Sequence, residues 1–346
     1  MDKASHLSVI LDLSPVQWHL FGQSTNPFPL SLSSFLSQLL AFLNAHTACK
    51  DENTLAVFGA FPGKSVLLFS STTGISEGDL GPADANTYRP FKMLDATIMK
   101  SILEELEELS GAQEESPLGL VGALTKALCY INRTSSAASS APAARSEETN
   151  LPDPRILIIS VSPDQPSAYI PIMNSIFSAQ KLKVTIDVCK LFGSDSVFLQ
   201  QASHLTGGSY IFLERPDALL QYLTMSFLPP PALRQLLSVP TQDKVDFRAA
   251  CFCHKNIVDV GFVCSVCLSI FCQPVPVCST CRTKFPIKTL QRLNASKPPA
   301  PTANRAAIPA TSLPRSTSIG SGTPRLTPLS NGNGTVHPPS QNGTPR

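Results

Sequence analysis

Eight side chains able to bind zinc fall within the thirty-one residues from Cys251 to Cys281. Inside that run, Cys264-x2-Cys267-x10-Cys278-x2-Cys281 presents two CxxC pairs, and each two-residue spacer lets both sulfurs of a pair turn toward one ion. Four thiolates complete a tetrahedral shell and leave no position for water or substrate, so the chemistry is structural rather than catalytic. Cys251, Cys253, His254 and Cys272 remain. They could supply a second site, of three cysteines and one histidine, interleaved with the first as in a cross-braced finger, although the adjacency of Cys253 and His254 would strain shared ligation. The alternative is that Cys272 and a neighbour are merely buried thiols. One zinc is expected, and the second stays open.

The other three of the ten cysteines, Cys49, Cys129 and Cys189, sit among apolar neighbours and read as small buried thiols. Nothing suggests a disulfide framework, and Met1 to Ser8 lacks the basic and apolar regions of a secretion signal, which points to a reducing compartment. No apolar run reaches the roughly 18 residues that span a bilayer. The net charge of +2 over 346 residues offers no strong field for nucleic acid or anionic lipid. The cations Arg282, Lys284, Lys288 and Arg292, just after the cysteine run, would give DNA a weak, salt-sensitive contact at most. No Walker loop, GxSxG elbow or HExxH motif is present, and His6, His19, His46, His204 and His337 stand apart from plausible nucleophiles or ligands.

What precedes the cysteine run must position it. Short β-type runs, Leu7 to Leu13, Leu55 to Ala60, Ser65 to Phe69, Arg155 to Val161, Val184 to Val188 and Ser209 to Leu213, alternate with helical patterns, as in a sheet covered on both faces. Most are continuously apolar, like buried parallel strands. The second and third are too close for a helical crossover and should form a hairpin, placing one antiparallel strand at the edge. Helical stripes occur at Leu32, Phe35, Leu36, Leu39, Leu40 and Leu43, and at Ile98, Ile102, Leu106 and Leu109. Others run through Leu120, Val121, Leu124, Leu128 and Ile131, through Ile172, Met173, Ile176 and Phe177, and through Phe198, Ala202 and Leu205. All are expected in the core, with Gly207 and Gly208 stopping the last helix. The acidic run Glu104, Glu105, Glu107 and Glu108 reads as a solvated helix face.

The strand order and the segment Val9-Ile-Leu-Asp12-Leu-Ser14-Pro together resemble a von Willebrand A domain, a six-stranded, mostly parallel Rossmann-type α/β fold. That family carries Asp-x-Ser-x-Ser after its first strand, where oxygen ligands hold magnesium. Here Val16 replaces the last serine, Ser116 could stand for the family's threonine, and Ser160-Val-Ser162-Pro replaces the usual aspartate after the fourth strand, with Asp164 further along. Magnesium is not expected at Asp12, Ser14 and Ser116; otherwise Asp12 and Ser14 satisfy backbone at a strand end.

The cysteine block after such a domain resembles the family of smaller von Willebrand A/zinc-finger subunits of general transcription factor IIH, over roughly residues 5 to 290. The resemblance implies a nuclear, non-catalytic scaffold serving RNA polymerase II initiation and nucleotide excision repair. It also implies binding to the larger von Willebrand A/RING subunit and to other core subunits, the helicases included. The expected organisation is a sheet domain over 1–230 with a disordered insertion near 134–154, a helical link over 231–247, a C4-type zinc finger over 248–290 and a disordered Pro/Ser/Thr-rich basic tail over 291–346. A RING-like ubiquitin ligase and a nucleic-acid-contacting zinc protein are the rival functions.

Overall fold

In the computed structural model, residues 4–72, 88–109, 116–140, 152–234, 236–237, 239–240 and 244–295 are described. Strands β1 (Ser5–Asp12), β2 (Thr54–Phe61), β3 (Lys64–Ser70), β4 (Asp153–Ser160), β5 (Thr185–Lys190) and β6 (Tyr210–Phe212) form one sheet in the order β3-β2-β1-β4-β5-β6. Every pairing is parallel except β2 with β3, which close a hairpin between Phe61 and Lys64. Gly63 takes the left-handed conformation that this turn needs, with φ of 69°.

Alternate residues of β1 point to opposite faces, as strand geometry requires. Leu7, Val9 and Leu11 face α1 (Pro15–Phe21), α2 (Leu32–Cys49) and α3 (Arg89–Leu109), whose Trp18, Phe35, Leu39, Phe42, Leu94 and Ile98 close that core. On the other face, Ile10, with Ile156 and Ile158 of β4, packs against α4 (Leu120–Ser140), α5 (Tyr169–Lys181) and α6 (Val197–Thr206). The fold is thus a von Willebrand A-like α/β sheet with helices on both faces. The helical stripes supply most of these contacts, but Phe177 lies 48% exposed on the outer side of α5. Cys49 and Cys129 are likewise exposed, leaving only Cys189 of those three as a buried thiol. Gly207 ends α6 with φ of 72°, and its N–H closes the last turn on Ser203 and His204.

After β6 come α7 (Leu219–Tyr222) and a π-helical turn, Leu223–Phe227, whose last carbonyls would be orphaned in the core. Arg155, 1% exposed, satisfies them, donating to the carbonyls of Phe227 at 2.9 Å, Pro229 at 3.1 Å and Leu228 at 3.4 Å. The next element, α8 (Pro231–Arg234), is a single turn, and 244–248 carries no regular secondary structure, so the described residues of the link expected over 231–247 are helical at its start and irregular at its end. Pro231 opens that turn at a helix's first position, where its fixed φ fits and its missing N–H costs no bond.

The expected insertion is also narrower, because α4 runs on to Ser140 and β4 begins at Asp153. The Thr134 hydroxyl bonds back to the carbonyls of Tyr130 and Ile131, so Ser/Thr content did not end this helix. Residues 141–151 lie outside the described residues, as does the tail from 296. That tail was expected from 291, yet α9 (Ile287–Ala295) crosses the boundary. No helix among the described residues is long and apolar enough to cross a membrane.

Candidate metal centres

The cysteine run folds as three short β-turn units of one design. Strands β7 (Ala249–Ala250) and β8 (Ile257–Val258) pair antiparallel, as do β9 (Phe262–Val263) and β10 (Ile270–Phe271), and Val277 bridges Lys284 in the third unit. In each unit a leading cysteine accepts at its carbonyl from the residue four positions on. The pairs are Lys255 to Cys251 at 2.8 Å, Leu268 to Cys264 at 2.9 Å and Arg282 to Cys278 at 2.9 Å. Those three residues are left-handed, with φ of 59°, 61° and 61°. This turn directs side chains one and four of the unit to the same side, so His254 occupies in the first unit the place that Cys267 and Cys281 hold in the others.

The structure brings Cys264, Cys267, Cys278 and Cys281 together, their sulfurs lying within 4.8 Å of one another. Cys264 and Cys281 are 3.7 Å apart and Cys267 and Cys278 3.5 Å, near the ~3.8 Å that four sulfurs adopt at ~2.3 Å from a tetrahedral zinc. It gathers Cys251, Cys253, His254 and Cys272 as well, again within 4.8 Å, with His254 Nδ1 3.2 Å and Cys253 Sγ 3.6 Å from Cys272. The adjacency of Cys253 and His254 therefore does not keep them apart: His254 reaches from the ligand position of its turn and Cys253 from inside the turn. Both sets could hold a metal ion, and the geometry fits two closed zinc sites, one of four cysteines and one of three cysteines with a histidine. Such an ion would join chain segments too short to hold one another by hydrophobic contact, and no position would remain for substrate.

Local donors prepare the thiolates. The Ser269 hydroxyl lies 3.1 Å from Cys267, and this bond with the Ser269 backbone draws the Cys267 thiol down to about 6. Thr283 repeats the device at Cys281, also at 3.1 Å, and lowers that thiol in turn. Burial works to raise Cys251, yet hydrogen bonding from the backbone of Asn256 and His254 brings it down to about 6. Thiolates are the form that binds metal. Spacing alone did not mark Ser269 and Thr283, although both stand two residues after the second cysteine of a CxxC pair.

Helix α6 seats this module on the sheet domain. Gln201 Nε2 donates to the carbonyls of Asp246 and Arg248, at 2.9 and 3.0 Å, and Gln200 Oε1 accepts from the Asp246 N–H at 3.1 Å. Phe247 packs edge-on against His204, and Ala250 is buried in the same apolar cluster as Phe198 and Ala202. All of α6 from Val197 to Ser203 is buried, which explains two glutamines where a solvent-facing helix would carry charges.

The magnesium motif is arranged differently. Asp12 Oδ2 accepts from the N–H groups of Val161 at 2.9 Å and Ser162 at 2.7 Å, while Oδ1 accepts from the Ser162 hydroxyl at 3.0 Å and the Ser14 N–H at 3.3 Å. With the Ser160 hydroxyl at 3.4 Å from Oδ2, these donors take up the roughly four acceptor positions of a carboxylate. Ser116 packs beside the hairpin turn at Gly63 and donates no hydrogen bond to Asp12; Val16 is 65% exposed. Asp164, the candidate carboxylate further along, caps α6 through Ser196 and the Phe198 N–H. The crevice beside Ser160, Ser162 and Asp164 measures about 20 Å³, room for about one water, and neither Asp12 nor Ser14 lines it. The residues do not fit a magnesium ion.

Known proteins share both the sequence and the sheet domain of this chain. The chain is 39% identical to the general transcription and DNA repair factor IIH subunit tfb4 of Schizosaccharomyces pombe, covering 84% of this chain and 92% of that one. It is 38% identical to the corresponding TFB4 subunit of Arabidopsis thaliana, covering 82% and 90%. A crystal structure of the TFIIH p34 N-terminal domain superposes with a TM-score of 0.52 and 30% identity, covering 64% of this chain and 96% of that one. The family model described as transcription factor Tfb4 matches residues 4–282, a span that includes the whole sheet domain and all eight clustered metal-binding side chains, and the chain belongs to that family.

Proposed function

We infer that the chain is a non-catalytic structural subunit of the transcription factor IIH core, serving RNA polymerase II transcription initiation and nucleotide excision repair in the nucleus. The observation that carries this reading is family membership over 4–282, because it takes in the sheet domain and the cysteine module together. The chemistry is consistent with it: two four-ligand clusters leave no open coordination position, and the one motif that could bind a catalytic cation is filled by donors. In this reading Cys264, Cys267, Cys278 and Cys281 hold one zinc, and Cys251, Cys253, His254 and Cys272 hold a second. The larger von Willebrand A/RING subunit binds the sheet domain. The zinc module, with Val260, Val263, Val266, Leu268 and Ile287 exposed, docks on another part of the same assembly.

One observation favours a second reading, a RING-like ubiquitin ligase. The two ligand sets alternate along the chain, with Cys272 returning to the first set between the CxxC pairs of the other, and an apolar groove of about 240 Å³ lies beside Phe262, Pro274, Val275 and Leu290. Affinity purification of the full chain with mass spectrometry separates the two. Recovery of helicase and kinase subunits is the expected result, whereas ubiquitin-conjugating enzymes alone, with auto-ubiquitination in vitro, would replace the scaffold reading. Metal analysis of the chain purified by itself should give two zinc ions per chain.

A further inference from the structure

Lys190 is the last residue of β5 and is 0% exposed, an unfavourable place for an ammonium unless something there needs its charge. It pairs in register with Ser160, so its side chain enters the end of the sheet where the Asp12 carboxylate lies. Its Nζ donates to the Ser162 carbonyl and lies 3.4 Å from the Ser160 hydroxyl, and that hydroxyl is 3.4 Å from Asp12 Oδ2. Three carboxylates, Asp12, Asp164 and Asp195, act on this cation electrostatically. Asp195 accepts from Tyr210 and Asp164 from Ser196, both neutral hydroxyls, so Lys190 is the positive charge that this carboxylate group shares.

We propose that Lys190 is a built-in cation, its ammonium doing at the carboxyl end of this sheet what a divalent ion would otherwise do. It balances Asp12 and ties the loop after β4 to the crevice through Ser160 and Ser162. Because the charge is covalently part of β5, this end of the domain assembles without a metal and does not respond to one. Any partner bound there meets a surface whose shape is independent of magnesium.

Two measurements on the zinc-loaded full chain test this. Electron paramagnetic resonance of added Mn²⁺ should show the same free-ion signal with wild type and with Asp12→Asn; Mn²⁺ retained by wild type and released by Asp12→Asn would overturn the proposal. In thermal unfolding, Lys190→Met should lower Tm by at least about 4 °C, because it removes the charge that reaches Asp12 through the Ser160 hydroxyl. Adding Asp12→Asn should restore a substantial part of that loss. Strict additivity of the two substitutions, or a Lys190→Met protein as stable as wild type, would show that the lysine does not neutralise Asp12. If Lys190→Met does not fold, the Mn²⁺ comparison decides alone.

Discussion

Replacing Arg234 by methionine tests whether a buried ion pair, rather than a helix, fixes the path from the sheet domain to the zinc module. Arg234 stands on the single turn α8 and meets Asp187 of β5 through two parallel bonds, Nη1 to Oδ1 at 2.5 Å and Nη2 to Oδ2 at 2.8 Å. Its side chain is 7% exposed and that of Asp187 1%. Methionine fills much the same volume but leaves Asp187, among the described residues, with the Ser209 N–H at 3.0 Å as its remaining hydrogen-bond donor. Stranding a buried charge costs about 3–5 kcal/mol, a large share of the 5–15 kcal/mol typical of a folded protein. At roughly 2–4 °C per kcal/mol, Tm should fall by about 10 °C. Arg215 provides the control: its bond to Asp217 is also 2.8 Å long but exposed, so Arg215→Ala should leave Tm within error. Differential scanning calorimetry of the zinc-loaded chain reads both variants, with Asp187→Leu/Arg234→Met expected to regain most of the loss. A fall below about 1 kcal/mol for Arg234→Met, as for a surface pair, would refute the argument that burial makes this bridge decisive.

Three further outcomes are expected. Cys264→Ser should reduce zinc from two ions per chain to one or none by atomic absorption and unfold the module, since structural zinc supplies on the order of 10 kcal/mol to such units. His6 is held near 4 by burial, and His46 near 4 by burial and then by Arg155, against an ordinary 6.5. Below 6.5 the unfolded chain takes up protons that the folded chain refuses. Stability should therefore be complete above pH 6.5 and fall as pH drops toward 4, by about 3 kcal/mol for each histidine; urea titrations at pH 7 and pH 5 measure it. Gly208→Ala would place a Cβ 2.0 Å from the Ile186 carbonyl oxygen, a backbone atom held within the sheet, and chemical denaturation should show a loss of about 1–3 kcal/mol.

Much of the fold is legible in the residues because its signals are local and repeated. The apolar runs at Leu7, Leu55 and Arg155 read as strands, and the short Phe61–Lys64 connection demands a hairpin. The misreadings share a cause. Phe177 fits its stripe but faces outward because no described element covers that side of α5; Cys49 and Cys129 have apolar sequence neighbours but lie on exposed helix positions. The Ser/Thr-rich start of the expected insertion continues α4, with the Thr134 hydroxyl bonded back to the preceding turn. Where the chain leaves the sheet domain, Arg155 and Arg234 hold it through bonds to residues far away in sequence, which no local pattern announces. In the metal centres, CxxC spacing specifies Cys264, Cys267, Cys278 and Cys281 through a local turn. Cys272 lies eighteen residues beyond His254, and only the pairing of β9 with β10 returns it to the first turn.

By itself the sequence determined the chemistry available: a thiolate-rich structural metal module behind a mostly parallel sheet, and a magnesium motif already short of one oxygen. Tertiary structure decided which groups share a site. It gathered His254 and Cys253 with a distant Cys272, engaged the Asp12 carboxylate with the loop after β4, and brought Lys190 from a neighbouring strand into the crevice that a cation would need. Ligand spacing within a turn is set by backbone dihedrals and can be read along the chain. The company a buried charge keeps is set by strand register and burial, which exist only once the sheet has formed.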